Sequence, residues 1–355
     1  MKKRALILTV LLIALGCAFV PEAPVGPPEA TFYPELPQRP RLQFLRSISG
    51  GGDLGKKQSA LQRFLFGEPQ AQMLRKPYDI GACKGKIYIL DRMYKKMVVL
   101  DLKDGTMSFI DDRGPGRLTD PAGIWVSQAG VKYVADIKRQ QVVVFDENDR
   151  YLRTYGGPAI FKKPVDVAVY GKRIFVIDLG KEQLLILDLE TGRTIQAVGE
   201  KGDFFKPSHV TVGPSGNVFV TDSLHFLIKE FSFDGRLLGS MGFHGDQIGG
   251  FARPKGTAVD KNGRVYVVDA AFENVQIFDG QGRVLLFFGG PGGAPGNLYL
   301  PAGIAIDDDN TAYFQKFADP DFKLEYLVYV TSMFGRNMVS VYGFGHWIDA
   351  SGPAE

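Results

Sequence analysis

Six prolines set the period of this chain: Pro77, Pro121, Pro164, Pro207, Pro254 and Pro301 stand 44, 43, 43, 47 and 47 residues apart. Units of that length cannot bury their apolar faces alone and must stack on one another. Eleven or twelve residues after each proline comes an aromatic: Tyr88, Tyr133, Phe175, Phe219, Tyr266 and Tyr313. In five copies an aspartate follows three residues later, at Asp91, Asp136, Asp178, Asp222 and Asp269; the sixth copy has Lys316 there.

Each copy reads as four short strands. The first alternates β-branched residues with small ones, as in Val167-Ala168-Val169 and Ile304-Ala305-Ile306, which is period-two spacing suited to a crowded inner strand. The second carries the recurring aromatic in fixed register, best explained as a plug between neighbouring sheets. Third strands follow at 97–100, 142–145, 184–187, 228–231 and 275–278, and fourth strands at 150–155, 194–198, 236–241 and 283–288. Turns such as Asp104-Gly105, Asp234-Gly235 and Asn262-Gly263 punctuate the joins. The aspartates recur too regularly for an active site and suit a turn in which the carboxylate accepts backbone N–H bonds.

A four-stranded sheet of this kind is apolar on both faces, and six standing radially bury both faces of each. The predicted fold is therefore all-β: a six-bladed β-propeller of four-stranded antiparallel blades. The Pro-x-[Gly/Asp/His]-[Ile/Val] start, the Tyr-Val-x-Asp second strand and the third strand Asn274-Val275-Gln276-Ile277-Phe278-Asp279 resemble NHL repeats, over roughly residues 72 to 345. Leu42 to Ile48 reads as a fourth strand standing before any first strand, and 337–342 reads as another. That makes seven outer strands for six blades, and Leu42 to Ile48 is expected to pair with the last blade, closing the ring.

Lys2-Lys3-Arg4, the apolar run Ala5 to Leu15, and Gly16-Cys17 read as an export signal, too short for an ordinary membrane span of about 20 residues. Ala14-Leu15-Gly16-Cys17 resembles the bacterial lipobox, which implies acylation of Cys17. The absence of Asp at position 18 implies outer-membrane sorting in a Gram-negative host. Pro21, Pro24, Pro27, Pro28, Pro34, Pro37 and Pro40 then mark a semi-rigid spacer at ~3.1 Å per residue. The organisation expected is a lipoprotein signal peptide over 1–16, the lipidated cysteine and Pro-rich tether over 17–40, the propeller over 41–345 and a tail over 346–355. The formal charge of +3 falls to near neutral once the signal is removed, so nothing points to nucleic acid. With two cysteines in all, only Cys83 accompanies Cys17 and no intramolecular disulfide framework is expected.

On the propeller face shared by the fourth-to-first and second-to-third connections, basic residues recur. Arg92, Lys95, Lys96, Lys138, Arg139 and Lys181 form the candidate partner-binding set, for an acidic envelope protein or an anionic glycolipid. Two residues after each proline, at the channel mouth, come Asp79, Gly123, Asp166, His209, Gly256 and Gly303. The peptide-amidating lyase, a similar propeller, holds a metal with histidines at this repeat position. Here only His209 matches, with Asp79 and Asp166 as candidate oxygen ligands for a divalent ion; the competing reading has all three bonding backbone around the channel. No covalent haem, Walker, Gly-x-Ser-x-Gly or His-Glu-x-x-His motif is present, so no cofactor and no catalytic residue is assigned. The expectation is a monomeric, exported, lipid-anchored interaction or scaffold module. The alternatives are a metal-dependent lyase or lactonase-like hydrolase acting at the channel mouth, and a ligand- or glycan-binding sensor.

Overall fold

The structure, a computed structural model, describes residues 30–54, 72–110 and 114–348. Cys17, the signal segment and the first part of the tether lie outside these residues. Six antiparallel sheets are present among the described residues. Blade one comprises Pro77–Cys83, Lys86–Asp91, Lys96–Asp101 and Thr106–Phe109. Blades two to five repeat this order from Pro121, Pro164, Pro207 and Pro254, each running outward strand by strand. Between sheets lie six apolar cores, one per neighbouring pair, so every blade is covered on both faces. The recurring aromatics fill them: Tyr88 packs with Ile124 and Val134 of blade two, Phe175 with Val218 and Val220 of blade four, and Tyr266 with Tyr326 and Val328 of blade six.

The aspartates are loop staples. Asp178 accepts the N–H groups of Lys162 and Lys163 ahead of the first strand (2.7 and 2.9 Å) and those of Gly180 and Lys181 after the second (2.9 and 3.1 Å). Asp91, Asp136, Asp222 and Asp269 are equally buried and likewise accept backbone N–H bonds.

Blade six departs from the expectation. A short helix, Thr311–Phe314, and a 3-10 turn, Gln315–Phe317, are inserted after its first strand, and the second strand is Phe322–Ser332. Tyr313 is therefore helical, and the true aromatic counterpart is Tyr329, which sits opposite Ala305 as Tyr266 sits opposite Ala258. Ser332, not Lys316, takes the aspartate's place opposite the opening proline. The run expected as a fourth strand at 337–342 is the third strand, Val339–Trp347, because the insertion displaces every later element.

Leu42–Ile48 supplies the fourth strand of this last blade, pairing with Val339–Trp347 in register from Leu42 opposite Phe344 to Ile48 opposite Val339. A fifth, two-residue strand, Phe32–Tyr33, lies outside it. The folded ring thus begins within the segment read as tether, since Phe32 is buried against Phe322 and Trp347. At the other end it extends through Trp347, beyond the boundary expected at 345. No described helix is long and apolar enough to cross a membrane.

Candidate functional site

The first strands line the channel, and the second residue of each after its proline faces the mouth. Asp79 and Asp166 are 3% and 1% exposed. Asp79 Oδ2 accepts the N–H of Ile124 in blade two, and Asp166 Oδ2 that of Val210 in blade four, each at 2.7 Å. His209 Nδ1 lies 2.9 Å from Asp166 Oδ2, and Nε2 donates to the Thr257 carbonyl of blade five at 3.0 Å. Thr331 joins blade six to blade one: its hydroxyl accepts the Gly303 N–H (2.8 Å) and donates to the Tyr78 carbonyl of blade one (3.0 Å). These short polar residues tie neighbouring blades together at the axis.

Two glycines make room for the carboxylates. A Cβ on Gly123 would stand 2.0 Å from Asp166 Oδ1, and one on Gly303 would stand 2.6 Å from Asp79 Oδ1. At two of the six copies, therefore, a glycine leaves the space that the carboxylate of a neighbouring blade occupies.

Burial, and next the charge of Asp166, raise the Asp79 carboxyl to about 7. For His209, burial disfavours the charged ring, but the Asp166 carboxylate, by charge and by hydrogen bond, outweighs it and lifts the imidazole to about 9. An imidazolium donating from both ring nitrogens fits both of its partners.

The sign of the resulting pH dependence follows from proton counts. Above the ordinary value of 6.5 the unfolded chain has released the His209 proton while the folded chain keeps it, so stability falls as pH rises toward about 9. Asp79 acts in the same direction between 3.8 and about 7. Lys255, lowered to about 8 first by burial and then by Arg253, Lys206 and Arg92, acts oppositely above that value. Between pH 6.5 and about 8 the unfolding free energy should drop by about 2 kcal/mol, and His209→Gln should flatten that window in urea titrations. An equal slope in the variant would remove His209 as its source.

The nitrogen and oxygen atoms of Asp79, Asp166 and His209 lie within 4.8 Å of one another, the reach of a divalent ion. The space between them is about 10 Å³, room for about one water. Both imidazole nitrogens and one oxygen of each carboxylate are already engaged; Asp166 Oδ1 is buried without a partner. A metal held by this set would have to take His209 from Asp166 or from Thr257. The donors therefore fit a single ordered water or shared proton better than a three-ligand metal. Beyond the mouth the channel widens to about 300 Å³, with a largely polar surface along the first strands to which Asp79, Gln128, His209, Thr211 and Thr257 contribute.

Five of the six candidate partner-binding residues fall on the second-to-third turns of blades one to three, on the face of this mouth, and Lys96 opens the third strand of blade one. Arg92 pairs with Asp120 at 3.1 Å and covers the Tyr78 ring. Arg139 donates to Gln141 and to the Pro115 carbonyl (2.9 and 2.8 Å), Lys181 to the Ile160 carbonyl, and Lys96 lies over Phe109. Lys95 and Lys138 are exposed and, among the described residues, form no ion pair with an acidic side chain. Sequence reasoning placed Lys255 among the basic residues of this face but passed over Tyr78; each stands one residue after its proline, and both line the mouth. That position carries a different residue type in every blade but two, so no repeat signal marks it.

A family model for the NHL repeat matches residues 251–278, the end of one interblade loop and most of blade five. No curated protein matches the sequence. Among solved structures, the chain resembles a gluconolactonase from Xanthomonas campestris at 14% identity and a TM-score of 0.55, covering 91% of this chain and 99% of that one. Virginiamycin B lyase from Staphylococcus aureus is similar at 12% identity and a TM-score of 0.52, covering 77% and 86%. A Bacteroides thetaiotaomicron protein of unknown function is similar at 14% identity and a TM-score of 0.58, covering 85% and 75%. At these identities the likeness is one of fold.

Proposed function

We propose that this six-bladed propeller, which carries an NHL repeat in its fifth blade, is an interaction module of the bacterial cell envelope. In this reading it is exported, held to the membrane through acylated Cys17, and docks an acidic partner protein on the face that carries the channel mouth. The supporting observation is how the charges are spent. Asp79, Asp166 and His209 are committed to joining blades around a space for about one water. Lys95 and Lys138, on the same face, are exposed and lack acidic partners among the described residues. Solvated cations arrayed on one face attract and orient an acidic surface.

The test is recovery of partner proteins from envelope extracts. Lys95→Glu combined with Lys138→Glu should cut recovery several-fold, while Lys172→Glu, on a first-to-second turn of the opposite face, should leave it intact. Equal recovery from all three chains would sink the proposal. The anchor is tested separately, since Cys17→Ser should move the protein from the membrane to the soluble fraction.

The second reading, a metal-dependent lyase or lactonase-like hydrolase, draws support from the unpartnered Asp166 Oδ1 and from the clustering of the three side chains. Stoichiometric metal in the purified protein, lost in His209→Ala, would favour it over the interaction module.

A further inference from the structure

One residue after its opening proline, each first strand places a side chain at the rim of the channel: Tyr78, Ala122, Val165, Ser208, Lys255 and Ala302. Four of these are small and leave a hollow, and Lys255 is the one cation among them. Lys255 is half-buried, and among the described residues it makes no hydrogen bond or ion pair through its ammonium. Its charged surroundings are cations: Arg253, Lys206 and Arg92. Arg92 is shared with Asp120, whereas Arg253 and Lys206 are exposed and have no acidic partner among the described residues. The nearby carboxylates do not answer this charge, because Asp79 and Asp166 turn to the backbone of Ile124 and Val210 and to His209.

Like charges near one half-buried ammonium disfavour the folded state and leave that ammonium with donors to spare. An arriving anion relieves both. The further cations of this face, Lys95, Lys138 and Lys181, stand on turns of three different blades, so a small ion would meet the hollow alone while an extended acidic chain would meet both hollow and rim.

We infer that Lys255, at the lip of this hollow, pairs with a carboxylate of an Asp- or Glu-rich polypeptide segment, one carboxylate oxygen taking the water-sized space of about 10 Å³ and the segment continuing outward over the basic turns. This rests on the docking face proposed above and adds where on that face the partner is anchored and by what chemistry. The lowering of the Lys255 pKa by burial and by its cationic neighbours agrees with an ammonium that lacks its counter-charge.

The test uses the purified full chain and a fluorescent oligoglutamate peptide, read by anisotropy at low salt. Lys255→Met should weaken binding by about tenfold or more, as expected for truncating one partner of a desolvated charge pair. Lys255→Arg should bind within about threefold of the parent, and Lys138→Ala should weaken binding by less than about threefold, as a rim charge does. If Lys255→Met binds as tightly as the parent while Lys95→Glu with Lys138→Glu abolishes binding, the docking face stands and the socket falls. If no substitution changes binding, both fall. If anionic phospholipid vesicles, and not the peptide, bind in a Lys255-dependent way, the occupant is a lipid headgroup and the polypeptide assignment is overturned.

Discussion

A chain lacking residues 30–48 should fail to form a stable propeller. The deleted segment supplies the fourth strand of blade six, and its side chains reach both flanking cores: Leu42 joins the apolar cluster shared with blade five, and Phe32 and Ile48 join the one shared with blade one. These three are at most 4% exposed. Burying a large apolar side chain contributes about 1.5–3 kcal/mol, so their joint loss is about 5–9 kcal/mol, before the unpaired backbone of Val339–Trp347 is counted. A typical domain holds about 5–15 kcal/mol in total. Thermal melting followed by circular dichroism would read this directly, and a peptide of residues 30–48 added in trans should recover part of the loss. A truncated chain melting within a few degrees of the parent would show that five complete blades and a partial sixth suffice.

Together with the same change at its four-bonded counterparts Asp91 and Asp269, Asp178→Ala should be among the most damaging single substitutions of a loop staple. It leaves four backbone N–H groups without their carboxylate. Each unsatisfied buried donor costs about 1–3 kcal/mol; Lys162, Lys163 and Lys181 are exposed enough for water to replace some of the bonds, which brings the expected loss to about 3 kcal/mol. Asp178→Asn should fall between, because one side of an amide accepts and the other donates. In blade six the same position is Ser332, whose hydroxyl, among the described residues, accepts one backbone N–H, that of Tyr299 at 3.2 Å, while Glu273 of blade five accepts that of Leu300 at 2.9 Å. Ser332→Ala should accordingly cost less than about 1 kcal/mol. Urea unfolding of the three variants would rank them, and a loss below about 1 kcal/mol for Asp178→Ala would refute the staple role.

The blade count and the strand order of blades one to five were legible because proline, aromatic and aspartate each perform one repeated task at a fixed place. Blade six was misread where those markers stop: the Thr311–Phe317 insertion carries an aromatic, Tyr313, at the expected distance, while the working aromatic, Tyr329, is followed by Ser332. Phe32–Tyr33 was invisible as a strand because two residues between prolines show no alternation. At the channel mouth Asp79, Asp166 and His209 could be picked out by repeat position, but their partners could not, since each bond crosses to another blade. The same blindness hid Lys132, fully buried, whose ammonium lies 2.6 Å from Asp149 Oδ1 while Lys86 of blade one holds Oδ2 at 2.8 Å.

The pairing of Leu42–Ile48 with Val339–Trp347 also fixes an order of events. During synthesis the earliest of these strands leaves the ribosome long before its mate has been translated, and it must stay unpaired until nearly the whole polypeptide has emerged. Contacts so distant along the chain are slow to form. The other five sheets are each contiguous in sequence and can assemble as they appear, so the circle is completed last, by the meeting of the two ends.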